Sequence, residues 1–233
     1  MKIAVFHNLP PGGAKRVLYE EVRYLSQKHT VDLFEFKNTD EGFLDIKKFC
    51  KNVYLHEAAL KKRTNFKRLF EDLFIIYTLK NAHKDIADKI NKGGYDCVLV
   101  HPDKFTQAPY VLRYLSVPSV YYCHEWLRIV YEKEYYFKKK VLFSKLVFEK
   151  ISRFVKKRID SQNARAATKI LTNSKFTQSN IKKAYDKDSI LLYPGVDANT
   201  FKYSVKKTSQ ILFIGNNTFE NGFELLNSAL KMV

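Results

Sequence analysis

Two glycines after a short apolar run are the first residues in the chain able to do chemistry. Gly12 and Gly13 follow Pro10-Pro11 and precede an amphipathic stretch. Such a turn lets backbone approach a ligand closely, and the N–H groups of the helix after it form a site for anions. The ligand expected there carries phosphate. The loop is neither GxGxxG nor a Walker loop, and a plain strand-to-helix turn has the same composition. Three more polar residues, His101, His124 and Ser174, stand just after apolar runs. A histidine in that position can hydrogen-bond a bound group or exchange a proton with it, and it can equally be structural. Ser174 also reads as a helix N-cap.

The elements that must hold these residues follow from hydrophobic periodicity. Residues 2–7, 31–36, 52–55, 95–101, 117–123, 169–172 and 189–193 read as short buried strands. Residues 14–27 place Ala14, Leu18, Val22 and Leu25 on one helical stripe, with Lys15, Arg16, Glu20, Glu21 and Arg23 mostly off it. Further helices are expected at 64–91, 106–115, 126–167 and 176–185. Alternating strands and helices give an α/β fold with a Rossmann-like, doubly wound, mostly parallel sheet. Ligands bind beyond the carboxyl ends of the strands in such sheets. The glycine turn, His101, His124 and Ser174 all fall at those ends and could share one crevice.

Residues 1–201 make the first domain and 202–209 a linker. Residues 210–233 then supply one extra strand, at 210–215, and one helix, the opening of a second domain.

The totals bound the function without naming it. The 233 residues carry a net charge of +17, which suits an anionic membrane surface, a phosphorylated substrate or nucleic acid. No stacking platform or base-reading motif accompanies the charge, which counts against nucleic acid. Cys50, Cys97 and Cys123 show no metal-ligand spacing. No signal peptide precedes the first strand, and no apolar run reaches the roughly 18 residues that span a bilayer. A cytoplasmic protein is expected.

Several motifs together resemble one family. Asn8-x-x-Pro11-Gly12-Gly13-Ala14-x-Arg16 is similar to the start of the acceptor-side domain of GT-B glycosyltransferases, in particular glycosyltransferase family 4. Tyr121-Tyr122-Cys123-His124-Glu125 looks like that family's strand ending in a sugar-contacting histidine. Thr172-Asn173-Ser174-x-x-Thr177, followed by Tyr193-Pro194-Gly195-Val196-Asp197-x-x-x-Phe201, resembles its later signature. Ile214-Gly215 with Glu220-x-Gly222 resembles the opening of the donor domain.

The resemblance implies one half of a GT-B enzyme. It would move a sugar from a nucleoside diphosphate sugar to an acceptor, with retention and without metal or further cofactor. His124 would meet the transferred sugar. Gly12, Gly13 and Arg16 would lie near diphosphate and acceptor, and Glu125, Asn173 and Ser174 would line the cleft. His101 matches no motif and is read as structural. At the donor-side turn, after Gly215, Asn216 and Asn221 stand where the family usually has Arg and Lys. Trp126 stands where proline is frequent. The family's Glu-x7-Glu region would lie beyond Val233. This chain alone is therefore expected to be inactive and to pair with another copy or a separate donor-side subunit.

Residues 136–158 are basic and amphipathic. Lys138, Lys139, Lys140, Lys145, Lys156, Lys157 and Arg158 are read as a membrane-binding face, with Val147, Ile151 and Phe154 opposite. A lipid-linked acceptor at the inner face of a membrane would suit it. A helix packing its apolar face on the sheet fits the same pattern. Two other functions remain open, a non-catalytic subunit of a split enzyme and a nicotinamide-dependent oxidoreductase, against which the absent GxGxxG counts.

Overall fold

A computed structural model describes residues 1–39, 42–58, 68–132, 143–202, 209–215 and 222–232. It divides into two units, Met1–Gly195 and Val196–Val233. In the first, the apolar runs become seven strands: β1 (Lys2–Asn8), β2 (Thr30–Phe36), β3 (Asn52–His56), β4 (Cys97–Asp103), β5 (Ser119–Cys123), β6 (Lys169–Thr172) and β7 (Ile190–Leu191). They form one sheet, ordered β3-β2-β1-β4-β5-β6-β7, with every neighbouring pair parallel.

Alternation along each strand divides the core between two faces. Ile3, Val5, Val31 and Leu33 meet Leu18 and Val22 of helix α1 (Gly13–Leu25) on one side. Ala4, Phe6, Val98, Val100, Tyr121 and Ile170 face the other side. There they pack with helices α2 (Arg68–Lys92), α4 (Phe143–Ala166) and α5 (Lys175–Tyr185). A short helix, α3 (Arg128–Tyr131), precedes α4. Both faces of the sheet are covered, as a parallel sheet requires.

Three expectations change. The helix expected at 106–115 is only a 3₁₀ turn, Tyr110–Arg113. Its lost first turn has a local cause. Ala108 donates its N–H to Asp160 Oδ1 at 3.1 Å and its C=O accepts from Asn163 Nδ2 at 2.8 Å, so its backbone is taken by α4, and Pro109 is extended. The helix expected at 126–167 is interrupted, with Glu132 extended after α3. Tyr131 Oη reaches the Lys157 carbonyl at 3.5 Å. On one straight helix, residues so far apart in sequence would stand roughly 40 Å from each other.

In the second unit, residues 210–215 form no strand. A ladder needs a partner, and the described residues of that unit supply none. Its helix, α6 (Phe223–Leu230), does form, and Phe213 packs edge-on to Phe223 with ring centroids 5.3 Å apart.

Candidate functional site

Strand order reverses between β1 and β4, which places a crevice beyond their carboxyl ends. Side chains tie the two ends together. Asn8 Nδ2 donates to Asp103 Oδ2 at 2.7 Å, and Asp103 Oδ1 accepts from the N–H groups of Phe105 and Thr106 at 2.8 and 3.0 Å. Asp103 is fully buried, and His83, Asn8 and the Phe105 N–H hold its carboxyl below the usual range against the opposing effect of burial. The carboxyl ends of β1 and β4 are thereby fixed to each other.

Gly12 caps α1 with φ 155° and ψ −170°, a conformation open only to glycine, and no side chain caps that end. Behind the turn, Lys15 is fully buried, although its place on the helix predicts a solvent-facing side chain. Its Nζ lies 3.3 Å from His7 Nε2, and Glu35 Oε2 lies 3.6 Å from the same nitrogen. Burial and then the positive charge of Lys15 push the His7 imidazole well below its usual range. Arg16 points outward, its guanidinium 5.8 Å from the Phe43 ring centre.

At the next two strand ends lies a chain of three groups. Glu21 Oε2, on α1, is 2.9 Å from His101 Nε2, on β4. His101 Nδ1 is 3.2 Å from His124 Nε2, just past β5. Tyr122 stacks on both imidazoles, 5.5 Å from His101 and 4.4 Å from His124 between ring centres, and its hydroxyl donates to the Leu192 carbonyl at 2.6 Å. Burial, with His101 adding to it, lowers His124 to about 3. A neutral imidazole held this way can bind a hydroxyl group without a charge of its own.

The remaining residues divide. The Glu125 side chain is exposed, while its carbonyl accepts from Gln107 Nε2 at 3.0 Å. Ser174 is spent on structure, its Oγ accepting from the Thr177 N–H at 3.1 Å to cap α5. Asn173 Oδ1 is buried at the end of β6 with no hydrogen-bond partner among the described residues, as an acceptor awaiting a ligand or water would be. Also among the described residues, no three His, Cys, Asp or Glu side chains are grouped to hold a metal ion.

The sequence profile of Glycosyltransferase Family 4 matches residues 11–200, which contain all of these groups except His7 and Asn8. The chain belongs to glycosyltransferase family 4. No curated protein matches it. Among solved structures it is similar to HepE of Anabaena in complex with UDP and glucose, with 18% identity and a TM-score of 0.50. That match covers 88% of this chain and 47% of HepE. Sucrose-phosphate synthase of Thermosynechococcus elongatus matches at 12% identity and a TM-score of 0.44, over 85% of this chain and 91% of that one. MurG of Acinetobacter baumannii matches at 14% and 0.42, over 76% and 42%. The likeness to HepE shows the fold, one Rossmann-like half of the GT-B type, and the chain spans about half the length of HepE.

The family 4 chain thus brings His124, the Gly12–Gly13 turn and Asn173 to the carboxyl edge of one sheet. Gly215 lies in the second unit, and Asn216 and Asn221 lie outside the described residues, as do Lys138, Lys139 and Lys140. Lys145 lies within α4, its side chain outside what is described. Lys157 and Arg158 are exposed and Lys156 half-buried. Sequence reasoning set His101 aside as structural and passed over Glu21. Their strand-end and helix positions were visible, but contact between residues 80 positions apart is not written in any local pattern.

Proposed function

We propose that this chain forms the acceptor-side half of a retaining, metal-independent GT-B glycosyltransferase that takes its sugar from a nucleoside diphosphate sugar. The observation that carries this reading is the position of His124, inside the family-matched region and at the carboxyl end of β5 beside the switch point. Retention and the absence of a metal rest on the family resemblance. His124 meets a hydroxyl of the transferred sugar, Gly12 and Gly13 let backbone approach the diphosphate, and Asn173 Oδ1 accepts from the bound substrate. UDP, found on HepE with glucose, belongs to the class of nucleotide expected.

The acceptor side of the reading places α4 at an anionic membrane surface, within reach of a lipid-linked acceptor. Val147, Ile151 and Phe154 are 40%, 53% and 65% exposed, while the helix buries Ser152, Asp160, Asn163 and Ala164. The apolar stripe therefore points away from the core, flanked by exposed Lys150, Lys157 and Arg158. That combination favours a headgroup plane over water alone. No helix among the described residues is long and apolar enough to cross a membrane.

The test is His124→Ala in an active assembly containing this domain. Transfer of radiolabelled sugar falls on the order of 100-fold, the scale for losing one positioned hydrogen-bonding group at a reacting centre, with the melting temperature unchanged. Wild-type turnover in the folded variant removes His124 from the site.

A further inference from the structure

One imidazole joins Glu21 to His124, and it determines where the protons sit. A carboxylate can only accept, so His101 donates from Nε2 to Glu21 Oε2 across 2.9 Å. With its proton there, a neutral His101 has a bare Nδ1, and the 3.2 Å contact requires His124 to donate from Nε2. His124 is then left with Nδ1 unprotonated. Stacking of Tyr122 on both rings, anchored by its hydroxyl on Leu192, holds the imidazole planes in place. The His101 side chain is fully buried and the Glu21 carboxylate only 20% exposed, so water competes weakly for these bonds.

We propose that Glu21 and His101 are positioning residues that hold His124 in the single tautomer protonated on Nε2, so that its Nδ1 is offered as an acceptor to a sugar hydroxyl. The proposal rests on the reading of His124 as the residue that meets the sugar. The arrangement makes recognition directional. A substrate hydroxyl must donate to His124, and a ring free to exchange tautomers would offer that acceptor only part of the time. The orienting group comes from α1, the helix that begins at the glycine turn, so one element serves both parts of the site.

Ring-nitrogen protonation is read by long-range ¹H–¹⁵N NMR on the ¹⁵N-histidine-labelled chain, without any need for turnover. The wild type shows His124 with Nε2 protonated and Nδ1 bare. Glu21→Leu and Glu21→Ala remove the acceptor for His101, and His124 then shows a mixture of tautomers. Glu21→Gln restores the single form, because the amide oxygen can still accept. Melting curves establish that each variant is folded, which the part-exposed Glu21 position permits. A His124 protonated on Nδ1 in the wild type overturns the proposal, since it requires a cationic His101. An unchanged single tautomer in both Glu21→Leu and Glu21→Ala overturns it as well. Should His124→Ala transfer sugar normally while these tautomer results hold, the sugar contact fails and the positioning chain stands.

Discussion

Gly12 and Gly13 are neighbours governed by different physics. A Cβ on either would meet nothing within 4 Å, so space does not demand glycine at either position. Gly12 nonetheless has φ 155°, while Gly13 is the first residue of α1 and has an ordinary helical conformation. Gly12→Ala costs about 1–3 kcal/mol of backbone strain. Gly13→Ala is neutral or stabilises by up to about 1 kcal/mol, because alanine loses less entropy in a helix. Urea denaturation of the two variants checks this pair, and equal losses would contradict it. If backbone at Gly13 approaches a diphosphate, Gly13→Ala also slows transfer while leaving stability intact. Lys15 departs from its local pattern. Helical spacing places it off the apolar stripe, yet it lies fully buried beside His7, because the glycine turn brings the first helical turn down onto the end of β1.

Helix α4 clamps a loop some fifty residues before it. Asp160 and Asn163 bind the N–H and C=O of Ala108, and Tyr185 Oη donates to Asp160 Oδ2 at 2.9 Å. Burial raises the Asp160 carboxyl to about 7, against the hydrogen bonds from Ala108, Tyr185 and Tyr131 that lower it. The folded state therefore keeps a proton that the unfolded state releases near pH 4. Stability from this group is complete below about pH 4 and is lost as pH rises through 7, by roughly 4 kcal/mol in all. In Asp160→Asn the fall in melting temperature between pH 4 and 7 flattens relative to the wild type, and parallel curves for the two proteins would contradict the assignment. The same clamp explains why the sequence misleads at 106–115. The seven strands of the sheet were legible as apolar runs of strand length, whereas 210–215 is such a run with no strand to pair with among the described residues. Ser174 was legible because capping is local. The lost turn before Tyr110 was not, since its cause lies some fifty residues on, in α4. The interruption after Tyr131 is likewise tertiary, for α3 turns back so that Tyr131 reaches Lys157.

At the scale of the whole molecule, a net charge of +17 meets an exposed apolar stripe on α4. Changing Lys150, Lys157 and Arg158 to Gln removes about 1 kcal/mol of surface attraction per residue. That lowers binding to phosphatidylglycerol vesicles on the order of 100-fold at low salt, measured by sedimentation, and Phe154→Ser weakens it further. Binding indifferent to these changes and to salt would contradict a membrane-facing α4. The parallel sheet and its reversal between β1 and β4 explain why groups distant in sequence meet at one edge. Titration of the ¹⁵N-labelled chain with nucleoside diphosphate sugars and phosphorylated acceptors shows whether that edge is the binding site. Amide shifts are expected to cluster at Gly12, Gly13, His124 and Asn173, with β3 and the end of α5 at Tyr185 unmoved. Shifts centred away from the carboxyl edge of the sheet, or no binding by any member of either class, would contradict it.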